Sequence, residues 1–225
     1  MPDTYLLNIN QNLAKNDFDR LLRYVSEDKR ERILRFHRFE DAQRSLLGDI
    51  LARYAICKRL GVRNAELVFG LNEYGKPLLI EPDGIFFNIS HSGEWVACAV
   101  ADSLVGIDVE MIKPVDYKIA EGFFSEIEYL FLMNQPEETR QKYFYILWAL
   151  KESFIKAEGK GLSIPFDSFT VDLERKEIRL QDEENVINNK TCSYFKAKSD
   201  KYVLSVTRIT KRDSKEPPEC CRSIK

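Results

Sequence analysis

Between Phe39 and Ala55 the apolar residues Phe39, Ala42, Leu46, Leu47, Ile50, Leu51, Tyr54 and Ala55 recur every three or four positions, and Gly61 closes the run. Only a helix satisfies that period. The pattern then changes. Segments 66–69, 85–89, 95–101 and 105–109 read as short strands, punctuated by Gly70, Gly75, Pro77, Gly84 and Gly93. A chain that switches from one period to the other must bury helix against sheet. The helical reading reaches back to Ser26, a candidate cap with Glu27 and Asp28 in the first turn. Residues 26–60 exceed an average helix, which predicts a break near His37.

Residues 4–9 read as a first strand. Helical character returns from Asp116, strongest over 137–158, and strands follow at 169–173, 178–180, 194–198 and 202–209. Blocks of helix and strand favour an α+β (mixed α/β) fold over a strictly wound parallel sheet. Asp102-Ser103 marks a seam between two apolar strands, and residues 211–225, with Pro217-Pro218, read as a frayed tail. No repeat is visible residue by residue.

At 225 residues the chain fits one enzyme-sized unit or two fused halves of about 100 residues. With 44% hydrophobic and 31% charged residues it can bury a core. A net charge of −2 argues against a general nucleic-acid or membrane-surface binder. The longest apolar run, 143–150, is far short of a bilayer span, and the N-terminus lacks the pattern of a signal peptide. Five scattered cysteines, without C-x-x-C spacing, support neither a zinc site nor a disulfide framework and point to a reduced, cytoplasmic protein. Cys57 and Cys98, in apolar stretches, read as small core residues.

Several segments suggest chemistry. In Gly106-Ile107-Asp108-Val109-Glu110, strand alternation puts Asp108 and Glu110 on one face, with Cα atoms about 6.6 Å apart. Paired carboxylates need a cation or solvent between them, and Mg²⁺ is held by one or two of them with water and phosphate oxygens. The plain alternative is an exposed edge with two solvated acids. On the apolar helix around Trp148, Glu152 and Lys156 share a face, as a metal ligand with a phosphate-neutralising cation or as an ordinary ion pair. Phe87-Asn88-Ile89-Ser90-His91-Ser92-Gly93 leaves a strand for a turn, and Ser90 and His91 are either anion donors or loop ties.

Lys29, Arg32 and Arg44 lie in a basic helical region, either holding phosphate or forming a solvated face. Asn72-Glu73-Tyr74-Gly75-Lys76-Pro77 is a turn in which Tyr74 either stacks on a flat ring or merely links strands. No P-loop, G-x-G-x-x-G or G-x-S-x-G is present. Together these features describe a Mg²⁺-dependent enzyme for a phosphorylated, nucleotide-containing substrate.

The ordered set also includes residues 39–48, Glu73 to Pro77, Phe123-Phe124-Ser125, Trp148 through Lys156, and Glu158 to Leu162. It resembles the 4′-phosphopantetheinyl transferase superfamily, of the surfactin-synthetase-activating (Sfp) type, from about Ser26 to Phe169. The resemblance implies a pseudo-dimer of two similar α/β halves, 1–104 and 105–210, with coenzyme A in the cleft between them. It implies Mg²⁺ held by Asp108, Glu110 and Glu152, with Glu152 and Lys156 catalytic and Lys156 facing the pyrophosphate. Lys29, Arg32, Arg44 and His91 would meet the 3′-phosphate end. Ser45 and Ser90 would meet phosphate or ribose, and Tyr74, Gly75, Lys76 and Pro77 the adenine.

The implied reaction moves the phosphopantetheine arm to a serine of an apo peptidyl or acyl carrier protein, releasing adenosine 3′,5′-bisphosphate. The segment from Gly159 to about Lys190 would help dock the carrier, and the enzyme would be a monomer that binds neither nucleic acid nor membrane. Arg32 stands where the family has a familiar lysine and Ser45 where it has a threonine. Both keep the charge or the hydroxyl, although arginine presents a different phosphate geometry. Another Mg²⁺-dependent phosphoryl or nucleotidyl transferase, or a non-catalytic carrier-binding module, are the alternatives.

Overall fold

The computed structural model describes residues 1–173, 177–180, 190–198 and 201–211. Strand β1 (Asp3–Asn8) leads to helices α1 (Lys15–Leu21), α2 (Glu27–Leu34) and α3 (Phe39–Leu60). Strands β2 (Val68–Leu71), β3 (Pro77–Glu81), β4 (Phe86–Ser92) and β5 (Trp95–Ala101) follow. Then come β6 (Leu104–Met111), α4 (Lys118–Phe123), α5 (Glu126–Met133) and α6 (Glu137–Glu158). Strands β7 (Phe169–Asp172), β8 (Glu177–Leu180), β9 (Lys190–Lys198) and β10 (Tyr202–Lys211) complete the described chain. The fold is mixed α/β, as the alternation of periods predicts.

Two three-stranded antiparallel sheets carry the architecture, ordered β1-β5-β4 and β6-β10-β9. In each, the last strand of its series lies in the middle. Each sheet supports one 22-residue helix, α3 against β4 and β5, and α6 against β6 and β10. Both helices end at a left-handed glycine, Gly61 (φ 70°) and Gly159 (φ 75°), where a side chain would be strained. Among the described residues hairpins β2–β3 and β7–β8 are the remaining pairs.

The sheets themselves pack together. Ala97, Ala99 and Ala101 on β5 meet Val105, Ile107 and Val109 on β6 and Leu204 and Val206 on β10. Small side chains on one wall allow the other wall to come close. On α6, Leu147, Leu150 and Phe154 are buried with Phe124, Phe144 and Phe169. The N-terminal helices close around Ile33 and Leu46.

Backbone fits against backbone at Gly106. A Cβ there would lie 1.9 Å from the Ser153 carbonyl oxygen and 2.4 Å from the Ala157 nitrogen. Only glycine lets β6 lie this tightly along α6. Beneath the same helix, Lys151 is 0% exposed and pairs with Glu128 at 2.8 Å, while its Nζ also donates to the Phe169 carbonyl at 2.6 Å. Glu128 in turn accepts the Ser125 and Val171 amides. One buried ion pair thus ties α5, α6 and β7 together.

Several local expectations change. The predicted break holds, with α2 ending at Leu34 and α3 starting at Phe39. Ser26 occupies the N-cap position without a side-chain hydrogen bond to the helix. Helix α1 and strand β3 were not predicted: α1 is short with only Phe18 buried, and β3 begins at the proline of an expected loop. Strand β2 starts at Val68, after a 3-10 turn over Asn64–Glu66. Cys98 is buried, but Cys57 is only half-buried. Lys211 closes β10, and the rest of the predicted tail, 212–225, lies outside the described residues. No described helix is long and apolar enough to cross a membrane.

Candidate active site

The site forms where β4, β6 and α6 meet. Alternation on β6 sends Ile107 and Val109 into the core and Asp108 and Glu110 to the opposite face. Asp108 is 2% exposed, so the reading of a solvated strand edge is wrong for it. Its Oδ1 accepts Lys156 Nζ at 2.6 Å and the Ser90 hydroxyl at 2.9 Å. Its Oδ2 is buried with no hydrogen-bond partner among the described residues. Lys156 also donates to Ser90 Oγ at 3.2 Å, while Glu152 Oε2 stands 4.0 Å from its ammonium. Lys156 therefore belongs first to Asp108 on another element, and the helical pair with Glu152 is secondary.

Burial dominates the electrostatics. It raises the Asp108 carboxyl, with Lys156 and Ser90 opposing. Glu110 is pushed up to about 7 by burial and by the neighbouring Asp108 carboxylate. Glu152 is raised by burial and, against Lys156, by Asp108. Asp108 and Glu152 raise Glu110, and Asp108 raises Glu152, so three acids gathered near Lys156 form a cluster short of positive charge. Among the described residues no three acid, histidine or cysteine side chains stand as a ready-made metal cage. The partnerless Asp108 Oδ2 and the charge deficit nevertheless fit a hard divalent cation that keeps part of its shell for water and phosphate.

Beside this cluster, His91 lies on β4 near Arg44, Lys156 and Asp41. Desolvation of its ring, ahead of the cations Arg44 and Lys156, lowers its imidazole, and its own backbone hydrogen bond and Asp41 oppose this. Arg44 is held by Asp41 at 2.8 Å and by the Gly93 carbonyl at 3.3 Å. Lys29 on α2 sits near Arg32 of the same helix and near Asp49 and Arg53 of α3, and burial lowers its ammonium. Ser45 is one turn before Asp49, on the face between these two groups. Arg32 is exposed.

The turn at Tyr74, Gly75, Lys76 and Pro77 reaches the same helix from below. Lys76 Nζ donates to the Lys156 carbonyl at 2.6 Å and the Ala157 carbonyl at 3.2 Å, and Asn72 Nδ2 to the Gly159 carbonyl at 2.7 Å. These bonds satisfy carbonyls that a helix end leaves free. Burial lowers Lys76 to about 8. Its ammonium is spent on α6, while the Tyr74 ring is exposed and Gly75 takes φ 81°. Trp148 packs among Phe123, Phe144 and Phe166, with ring centroids 5.2–5.8 Å away. Most of the segment expected to dock a carrier beyond Asp172 lies outside the described residues.

Sequence reasoning gave no role to Asn72, Asn88 or Ser92. Asn88 Oδ1 accepts the Ile107 amide at 3.0 Å. Ser92 Oγ accepts the Met111 amide at 3.0 Å and faces Glu110 Oε2 at 3.1 Å. The available signal was polar residues at alternate positions, 88, 90 and 92, opposite the apolar Phe87 and Ile89.

Known proteins share this arrangement of sequence. The model of the 4′-phosphopantetheinyl transferase superfamily matches residues 104–207, and that of the 4′-phosphopantetheinyl transferase N-terminal region matches residues 12–103. The transferase ffp of Bacillus subtilis is 46% identical over 169 residues, covering 75% of this chain and 75% of its own. Sfp of Bacillus subtilis (strain 168) is 43% identical over 171 residues, 76% of each chain. The transferase gsp of Aneurinibacillus migulanus is 42% identical over 172 residues, 76% of this chain and 72% of its own. Matched in order across both stretches, and carrying the acids and the lysine around β6 and α6, the chain belongs to the 4′-phosphopantetheinyl transferase superfamily and is an enzyme of that class.

Proposed function

We propose that this enzyme transfers the 4′-phosphopantetheine arm of coenzyme A to a serine hydroxyl of an apo peptidyl or acyl carrier protein, releasing adenosine 3′,5′-bisphosphate, and that it requires Mg²⁺. The observation that carries the reading is the convergence of Asp108, Glu110, Glu152 and Lys156 with one buried carboxylate oxygen unpartnered. Asp108, Glu110 and Glu152 would hold the ion. When bound, it would supply positive charge against the pyrophosphate oxygens.

In the reaction a serine oxygen bonds to the phosphorus that carries the pantetheine arm, and the bond from that phosphorus to the bridging oxygen breaks. The electron pair leaves with the nucleotide phosphate. Glu152 takes the serine proton, a role that follows from its place beside Lys156, 4.0 Å from the ammonium. Lys156 has three N–H groups, of which Asp108 and Ser90 take two; the third is available for a phosphate oxygen.

Arg44 and Ser45 on α3, His91 on β4, and Lys29 and Arg32 on α2 would receive the 3′-phosphate end, and Ser45 and Ser90 the phosphate or ribose. Tyr74, Gly75, Lys76 and Pro77 would frame the adenine, Lys76 through its backbone and stem. We read the chain as two related halves, 1–104 and 105–210, with coenzyme A between them, acting as a cytoplasmic monomer that binds neither nucleic acid nor membrane. The repeated sheet orders and paired 22-residue helices support the two-half reading. Incubation with coenzyme A, Mg²⁺ and an apo carrier, followed by intact-mass analysis, tests the function. A gain of one phosphopantetheine on the carrier is expected, lost in Asp108→Ala; no gain on any peptidyl or acyl carrier would refute the reading.

A further inference from the structure

Strands β4 and β6 are edge strands of different sheets, yet they lie side by side. Side chains of β4 serve the β6 backbone. At alternate positions Asn88 Oδ1, Ser90 Oγ and Ser92 Oγ accept the amides of Ile107, Val109 and Met111, at 3.0, 3.3 and 3.0 Å. An edge that would otherwise hold unpaired N–H groups is satisfied by a comb of three polar side chains.

The comb's teeth differ chemically. Asn88 offers a carbonyl oxygen and touches no acid of the cluster. A serine hydroxyl has one proton and two acceptor sites. Once Ser92 Oγ accepts the Met111 amide, its proton is free to point elsewhere, and Glu110 Oε2 is 3.1 Å away. Ser90 repeats this between the Val109 amide and Asp108 Oδ1. The backbone amide thus aims the hydroxyl, and the hydroxyl holds one oxygen of each carboxylate, while Asp108 Oδ2 has no hydrogen-bond partner among the described residues.

We propose that Ser92 is a positioning residue for Glu110: it fixes the carboxylate for a divalent cation and never touches the reacting atoms. The inference rests on the reading of Glu110 as an ion ligand. Loss of such an outer partner typically costs 10–100-fold in metal affinity. The test is Mn²⁺ titration of the protein with coenzyme A, followed by the electron paramagnetic resonance of the free ion. Melting curves are taken in parallel, and Glu110→Gln, Asn88→Ala, Ser92→Ala and Ser92→Thr are compared with the parent.

Ser92→Ala should weaken Mn²⁺ binding about tenfold. Ser92→Thr, which keeps the hydroxyl, should restore it. Asn88→Ala removes an equivalent amide acceptor and should lower the melting temperature without changing ion affinity. A Ser92→Ala variant that binds Mn²⁺ like the parent, while Glu110→Gln does not, overturns the role of Ser92 alone. Equal losses in Asn88→Ala and Ser92→Ala overturn it too, by making the effect one of strand support. Unchanged binding in Glu110→Gln removes the ligand reading itself.

Discussion

Replacing Glu110 by glutamine should stabilise the ion-free protein at pH 8 while destroying its activity. Glu110 has an ordinary carboxyl value of 4.5 and is pushed up to about 7 by burial and by Asp108. Below pH 4.5 folded and unfolded chains both hold the proton. As pH rises from 4.5 to about 7 the unfolded chain releases it first, so the folded state loses stability through that window and keeps the full deficit above it. Taken whole, that linkage is about 3.4 kcal/mol. Part of the side chain reaches solvent, so we take somewhat less than half, ~1.5 kcal/mol.

For a chain of this size that is about 3–6 °C in Tm. Glutamine mimics the protonated acid and removes the deficit. Melting in chelator at pH 8 should therefore show Glu110→Gln above the parent by that margin, and the gap should close towards pH 4.5. With coenzyme A already present, adding Mg²⁺ should raise the parent further and leave the variant nearly unmoved. A variant no more stable than the parent at pH 8, or a gap independent of pH, would refute the argument that burial strains this carboxylate.

Three further expectations follow from other parts of the molecule. Lys29→Ala combined with Arg32→Ala should raise the coenzyme A KM with little change in kcat; an unchanged KM in steady-state kinetics would return both residues to the role of a solvated helical face. Gly106→Ala places a methyl against the Ser153 carbonyl and the Ala157 amide, backbone atoms that cannot swing aside. It should cost about 3 kcal/mol or more in urea unfolding. Lys151→Met leaves Glu128 buried without its cation and should cost about 3–5 kcal/mol. Lys151→Met with Glu128→Leu should recover part of this loss, and a double variant as unstable as the sum of both singles would count against a coupled pair.

Much of the fold was legible locally. The three-and-four spacing found α3 and α6, and the glycines that end them, because period and terminator are properties of neighbouring residues. Period two found the shared face of Asp108 and Glu110. Local pattern could not reveal that this face is covered: the cover comes from Lys156 and Ser90, distant in sequence. For the same reason Lys76 read only as part of a turn, although its ammonium caps a helix 80 residues away. Helix α1 escaped because seven residues give less than two turns of pattern. The grouping of the acids into one ion site was expected through family resemblance, since spacing alone favoured an ordinary helical ion pair for Glu152 and Lys156.

The side-chain comb between β4 and β6 also bears on how such a molecule could be divided. A chain cut at the Asp102-Ser103 link would give two pieces, each with an open strand margin, one bearing hydroxyls and an amide and the other bare N–H groups. Neither piece is a finished object: each carries a template for its counterpart, and Asp108 and Glu110 would lie on the piece that lacks the serines that hold them. Covalent continuity therefore does for this enzyme what subunit association would otherwise have to do, keeping donor and carboxylate in permanent one-to-one supply.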